Sequence, residues 1–582
     1  MPAPVIGIPR ALGFYENFPF WRTLLTRAGF AVRLSAHSNH DLAAAGLHTV
    51  MSDNICYPAK LMNGHILDLL SKNVSRILLP HIVRERKTPG DPGSAFNCPV
   101  VAGYADVVRS AINPQKRNAI PLDTPAVNLS DPVLARRSIE DYLTKTLNVP
   151  APRARAAFNA AWTAQGQFQA ELAARARHLV ETAEAENRLV LLLAGRPYHN
   201  DPLIQHKIAD AVTSLGAVVI TEDIAREAPL DVPDLSSMQW CYTHRILSAA
   251  RWVAAQGPAI HFVQLTSFGC GLDPFITETA SEILNAAGKH LTLLKVDDVN
   301  NTGSLRLRLR SLVESLRGQP PPRQAAAGQA AAHHPVTENT FHPDHTILVP
   351  FMSEFYSPLV EPLMRIAGYK VQTLPPPDAA AAEFGIQHAN NEVCYPATLV
   401  VGSFIKALAS NTYDHDKIAL GITQTGGQCR ASSYIDIIRR ALRAAGLAHI
   451  PVLPIAATET TSARQPAFKP NWRRAATTFL AALCYGDNLS QLHHATAPRE
   501  KLPGQAAALR DHYMAAVLPL VAARDLDGMA RLLRQAAADH AAALDPARPP
   551  APKIGVVGEI YVKLNAFSQS NAVNWLIAQG VE

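Results

Sequence analysis

Seven cysteines stand in the 582-residue chain, and none forms a C-x-x-C pair. That spacing counts against zinc ribbons, thioredoxin-like motifs and ferredoxin-type cluster runs, whose ligands come in close pairs. Any site made from these thiols must be assembled from cysteines far apart in sequence. Five of them fall in a pattern. SDNICYPAKLMNGH and NNEVCYPATLVVGS each place a cysteine before Tyr-Pro-Ala and a glycine eight residues later: Cys56 with Gly64, and Cys394 with Gly402. A further cysteine follows each: Cys98 in FNCPVVAGYADVV, and Cys429 in TQTGGQCRASSYIDII. The intervals are 42 and 35 residues, and Tyr104 and Tyr434 follow six and five residues on. Cys270, in TSFGCGLDPFITETASEIL, stands between Gly269 and Gly271 ahead of a helical pattern.

Each of these positions suits a reactive or ligating thiol. Pro58 fits the first turn of a helix, so Cys56 faces free backbone N–H groups and the positive helix end, which favour a thiolate. Glycines beside Cys270 let the backbone approach something bulky. Thiolates so placed serve iron–sulfur ligation, zinc ligation or thiol redox chemistry. Structural zinc takes four ligands in a closed site, and each half of the chain offers at most three cysteines in this pattern, with no matched histidine. Three thiolates suit a cubane with one iron left open. Cys241 (QWCYTHRI) and Cys484 (AALCYGD) have no counterparts, lie in helical patterns and are expected to be packing residues.

The elements that must position these cysteines alternate between short apolar runs and helical patterns, the signature of an α/β protein with parallel sheets. The expected fold is a set of duplicated flavodoxin-like or Rossmann-like domains, with cysteines at strand-to-helix loops where α/β folds build their sites. Residues 1–132 read as a first α/β domain with Cys56 and Cys98, and 133–187 as an Ala-rich helical connection. Residues 188–316 read as a second α/β domain with Cys270. RGQPPPRQAAAGQAAAHHPVTEN marks a linker over 317–343. A third domain, 344–485, repeats the first: TILVPFMSEFYSPLVEPLMRIAGYKVQTLP echoes the opening of the chain, down to Phe355-Tyr356 against Phe14-Tyr15. A helical connection, 486–552, precedes KIGVVGEI. Residues 553–582 are expected to open a fourth α/β domain that is cut short, leaving the second half without a counterpart of Cys270.

Other motifs are weaker. GRPYHNDP follows a strand and precedes a helix, so Arg196 and His199 are candidate cofactor-binding residues in a ligand-facing loop; local satisfaction of backbone carbonyls is the competing reading. TQTGGQCR has the glycines of an anion nest, though Cys429 favours wrapping around a cluster. Asp297 and Asp298 begin a loop with nothing to mark them as acid and base. SAHSNHD, QLHHAT and AAHHP read as solvated histidines. No G-x-S-x-G or G-x-x-x-x-G-K-[ST] appears.

Composition narrows the class. A hydrophobic share of 48% and a charged share of 18% are those of globular protein. A net charge of +6 without a basic tract gives no footprint for nucleic acid. No apolar stretch reaches the ~18 residues of a membrane span, and the N-terminus lacks a signal-peptide pattern. A cytoplasmic protein without a disulfide framework is expected.

IGIPRALGFYENFPFW, NICYPAK, GRPYHNDP, SFGCGLDPF with LLKVDDVNNTGSLRLRLRSL, NNEVCYPATLVVG, TQTGGQCRASSYI and KIGVVGEI together resemble the large 2-hydroxyacyl-CoA dehydratase/activase-related proteins. These are the double-cubane-cluster relatives of the CoA-substrate-specific enzyme activases. The resemblance implies a 4Fe–4S or double-cubane 8Fe–9S cluster held by Cys56, Cys98 and Cys270, with Cys394 and Cys429 in the second half. It implies low-potential electrons from an ATP-dependent activator, so that ATP acts only through a separate domain or partner. It implies a small-molecule substrate such as a 2-hydroxyacyl-CoA. The alternative is a non-catalytic electron-relay or scaffold module joining activator and dehydratase. Two departures accompany it: this chain opens on the first strand without the family's ATP-binding domains, and it resembles a middle portion of a long member.

Overall fold

In a computed structural model, the structure describes residues 3–87, 95–226, 239–298, 302–318, 341–424, 429–456 and 467–582. The chain divides into two compact units. One comprises Met1–Pro233, Met238–His333 and Gly427–Cys429, and the other Asp234–Ser237, His334–Gly426 and Arg430–Glu582.

The first unit holds two parallel sheets of the same strand order. Strands β1 (Val5–Ile8), β2 (Ala31–Leu34), β3 (Arg76–Leu78), β4 (His81–Arg84), β5 (Leu122–Asp123) and β6 (Ala126–Asn128) come first in sequence. They form a sheet ordered β2-β1-β3-β5, with β4 and β6 as a parallel extension pair. Strands β7 (Val190–Ala194), β8 (Val218–Thr221), β9 (Ile260–Thr266) and β10 (Thr292–Lys295) form a sheet ordered β8-β7-β9-β10. The apolar run VLLLA is buried along its whole length, as a central parallel strand flanked by helices must be. The second unit repeats the plan with β11 (Thr346–Val349), β12 (Lys370–Thr373), β13 (Ile418–Thr423) and β14 (Val452–Ile455), ordered β12-β11-β13-β14. The duplicated parallel-sheet architecture expected from sequence is therefore present.

Helix α1 (Phe14–Ala28) ends at Gly29, whose φ of 101° gives the left-handed turn that an L-residue avoids. Its buried face, Phe20, Trp21, Leu24 and Leu25, packs on the 35-residue helix Ala151–Ala185 through Ala154, Ala157, Phe158 and Ala161. The Ala-rich connection thus covers the outside of the first sheet. In the second unit, helices Trp472–Thr496, Gln505–Ala523 and Leu526–Ala543 cover Phe355, Leu359 and Leu363 in the same way.

Helices α2 (His40–Leu47) and α3 (Tyr57–Leu70) cross at a pair of glycines. A Cβ on Gly64 would lie 2.1 Å from the Leu42 carbonyl oxygen, and one on Gly46 would lie 2.4 Å from the Gly64 nitrogen. The second unit reproduces the crossing: a Cβ on Gly402 would lie 1.7 Å from the Ala381 oxygen, and one on Gly385 would lie 2.1 Å from the Thr398 oxygen. The glycine eight residues after each CYPA cysteine is there for backbone approach. It fixes the helix that carries the cysteine at its start.

Two expectations are corrected. KIGVVG, read as the first strand of a fourth domain, forms no strand: Ile554 donates its N–H to the Glu582 carbonyl at 2.8 Å, and Val557 is 90% exposed. A strand exists only by pairing, and the described residues offer this segment no ladder. Cys484, expected in a core, is exposed on helix Trp472–Thr496. Most of the expected linker (319–340) lies outside the described residues, as does residue 425–428 of the glycine-rich nest.

Candidate functional site

Cys56, Cys98 and Cys270, each part-buried, are brought near one another in the first unit. Cys56 is the N-cap of α3 with φ −61° and ψ 146°, and its carbonyl accepts from the N–H groups of Ala59 and Lys60. Cys98 is the N-cap of α4 (Pro99–Ala111), with its own N–H held by the Asn97 side-chain oxygen at 2.9 Å. In both helices proline stands in the first turn, where no N–H partner is lost. Cys270 follows β9 in a turn closed by its N–H to the Ser267 carbonyl at 3.0 Å.

Two sheets supply these loops. Strands β7 and β9 are neighbours, but the connection after β7 leaves for β8 on one side and that after β9 for β10 on the other. Such a switch point opens a crevice at the strand C-termini. Arg196 follows β7 into it, and Cys270 follows β9. The first sheet contributes α3, whose Tyr57 and Leu61 sit in the second sheet's core among Leu191, Leu193, Val263 and Leu265. Tyr198 packs in return against Ala59, Met62 and Tyr104. Gly269 brings the Cys270 turn against the Cys56 turn, since a Cβ there would stand 2.9 Å from the Asn54 oxygen and 3.8 Å from the Cys56 nitrogen.

Arg196 lies under the thiols, 2% exposed. Its Nη2 donates to Cys270 Sγ at 3.6 Å and to Asp273 Oδ1 at 2.5 Å. The Thr266 hydroxyl donates to the other Asp273 oxygen at 2.7 Å. Nε and Nη1 of Arg196 are buried with no hydrogen-bond partner. His199 accepts the Arg196 N–H on Nδ1 at 3.2 Å, and its Nε2 is 3.3 Å from Ser267 Oγ. Gly195 leaves room for that ring, because a Cβ would meet His199 Nδ1 at 2.5 Å. His199 thus shapes the loop, and Arg196 reaches the cysteines. Asp201 accepts from the hydroxyls of Tyr15 and Ser38, tying this loop to the first sheet.

Burial pushes the Cys56 thiol up to about 12, with the neighbouring Cys98 and Cys270 sulfurs adding to the rise and the Ala59 N–H and Arg196 opposing it. Burial also pushes Cys270 up to about 11; Asp273 and Cys98 add to this, and Arg196 works against it. The thiolate expected at the start of α3 is thus disfavoured at Cys56 by desolvation and by like charges, and burial disfavours it at Cys270 as well. Among the described residues, no group of three or more His, Cys, Asp or Glu is arranged to hold a single metal ion. The donor set is three neighbouring thiols beside a guanidinium with unpaired N–H groups.

A buried polar network backs Cys98. Glu85 accepts from Asn97 Nδ2 at 2.9 Å, Tyr242 OH at 2.9 Å and Asn17 Nδ2 at 3.1 Å. Beside it, Glu16 receives Arg226 at 2.8 Å and Arg245 at 3.0 Å, and Arg245 also reaches Glu222 and Asp223. Burial alone would raise Glu16, but Arg226 and Arg245 outweigh it and hold the carboxyl at about 2. Burial and the Glu16 charge push Glu85 up to about 7. Cys241 is buried against this network, as expected of a packing cysteine.

In the second unit, Cys394 caps helix Tyr395–Ala409 with φ −63° and ψ 144°, close to the Cys56 geometry. Its sulfur lies 3.0 Å from the Tyr434 hydroxyl. Tyr395 is 45% exposed where Tyr57 is 7% exposed. Cys56, Cys98, Cys270 and Cys394 are all part-buried, and Cys429, later in the sequence, is exposed. Sequence reasoning missed Asp273, Ser267 and Tyr198, and gave no role to Asp297, whose Oδ1 accepts the Phe268 N–H at 2.6 Å and steadies the Cys270 turn. Only the Asp after Cys270, in GCGLDPF, offered a local signal.

Residues 5–225 match the family model described as "CoA enzyme activase uncharacterised domain (DUF2229)". This stretch is similar to that CoA enzyme activase domain. The matched stretch contains Cys56, Cys98, Arg196 and His199, and stops before Cys270. No curated protein matches the chain. A solved structure described as "Crystal structure of ZnuA" aligns at 13% identity over 54% of this chain and 98% of that one. Its TM-score is 0.19, too low to carry any argument. Among the described residues, no helix is long and apolar enough to cross a membrane.

Proposed function

We propose that the first half is an iron–sulfur redox module of a CoA-dependent dehydratase system. It receives single electrons from an ATP-driven activator and acts on a substrate such as a 2-hydroxyacyl-CoA. The observation that carries this reading is the convergence of Cys56, Cys98 and Cys270, from loops of two separate sheets, beside Arg196. The match of residues 5–225 to a CoA enzyme activase domain supports the biochemical context.

A bound cubane would supply one-electron transfer, with an iron left open by three-thiolate ligation. The chain's own residues do the rest. Cys56, Cys98 and Cys270 lose their protons as ligands. The first turns of α3 and α4 direct N–H groups towards the pocket. Tyr57 and Tyr198, both buried, pack the two sheets together behind the cysteine loops. Cys394 is a proposed ligand of a second cluster, and Cys429, exposed in the structure, is a further candidate ligand.

The test is anaerobic reconstitution with iron and sulfide. The expected product is brown and holds about four irons per chain, as one cubane requires. A colourless protein without iron sinks the reading. Addition of a 2-hydroxyacyl-CoA should then shift the cluster's spectrum; indifference to it favours the non-catalytic relay.

A further inference from the structure

The Arg196 side chain is built in a way that the loop's fold does not require. It is 2% exposed, paired once with Asp273, and leaves Nε and Nη1 buried without acceptors. A buried donor left unpaired costs about 1–3 kcal/mol, more when charged. The acceptors nearest to hand are sulfurs: Nη2 already reaches Cys270 Sγ at 3.6 Å, and Cys98 lies close enough to act on the guanidinium. The planar fork of an arginine offers five donors in fixed directions, and only one nitrogen is used.

We propose that Arg196 is the positioning residue of the three-thiol site, donating N–H···S hydrogen bonds to Cys270 and, through Nε and Nη1, to a further sulfur of the group bound there. This inference rests on the iron–sulfur reading above. Donors aimed at the sulfurs stabilise the more negative, reduced form and raise the reduction potential. Asp273, held by Thr266, balances the guanidinium charge from the side away from those unpaired nitrogens. Removing Arg196 alone would strand a buried carboxylate, so the informative variants treat the pair together.

Redox titration of the anaerobically reconstituted full chain, followed by EPR, tests the assignment. The double variant Arg196→Gln/Asp273→Asn should keep its iron. At the wild-type midpoint its reduced-to-oxidised ratio should be at least tenfold lower, about 59 mV for a one-electron couple. Asp273→Asn alone should move the ratio the opposite way, a sign reversal that a merely structural role would not give. An iron-loaded double variant that titrates like wild type overturns the proposal. Wild-type chain labelled with 15N-arginine gives a second readout that no folding defect can obscure. Hyperfine coupling of a guanidinium nitrogen to the reduced cluster is expected, and its absence also overturns the proposal. Wild-type chain that takes up no iron overturns instead the cluster reading on which it rests.

Discussion

Gly269 and Asn54 hold two sulfur-bearing turns against each other across 215 positions of sequence: a Cβ on Gly269 would stand 2.9 Å from the Asn54 carbonyl oxygen. The φ of 73° at Gly269 adds a second reason for glycine. Gly269→Ala should therefore force the Cys270 turn away from Cys56 and lower iron uptake severalfold. Gly288→Ala is the control, because its φ is also positive, at 70°, but a Cβ there meets open space. It should cost only backbone strain, about 1 kcal/mol, and leave iron binding unchanged. Equal iron loss in both variants would count against the loop contact.

Gly64 and Gly402 predict a matched pair of defects. Their added Cβ atoms would meet backbone carbonyls that cannot rotate away. Each substitution to Ala should cost about 1–3 kcal/mol or more by overpacking, measured as a lowered denaturant midpoint. Gly64→Ala should also reduce bound iron, because it displaces α3 and with it Cys56. Gly103→Ala, in α4 with open space around it, should be neutral or stabilising.

The thiols themselves should separate by position. Serine at Cys56, Cys98 or Cys270 should lower bound iron and bleach visible absorbance. Serine at Cys484, exposed on a helix, should change neither iron content nor melting temperature. Iron loss at Cys484 would identify it as a ligand and remove the basis for the three-cysteine assignment.

Glu85 makes stability pH-dependent with a definite sign. Burial and the neighbouring Glu16 charge push its folded carboxyl up to about 7 from the ordinary 4.5, so the folded state keeps a proton that the unfolded chain releases. Stability from this group is full below about pH 4.5, declines as pH rises, and is lost above pH 7. Glu85→Gln should flatten that fall by on the order of 1–3 kcal/mol, read as chemical-denaturation midpoints at pH 5 and pH 8. A variant with the same pH slope as wild type would show that Glu85 stays ionised in the fold.

The sequence by itself determined the parallel α/β class, the internal duplication, and the cysteines at helix starts. Those features are written in local periods and turn residues: VLLLA as a buried strand, Pro58 and Pro99 in first turns, a glycine eight residues after each CYPA cysteine. Tertiary structure alone decided which thiols meet. Cys270 reaches Cys56 because β9 and α3 belong to sheets that share a core through Tyr57 and Tyr198, and no local pattern encodes that docking. It also decided charge. A helix start favours a thiolate in water, but burial reverses the preference at Cys56, and burial is a property of neighbours distant in sequence. KIGVVG shows the same limit from the other side: its composition suits a strand, yet a strand is completed only by a partner that lies elsewhere in the chain.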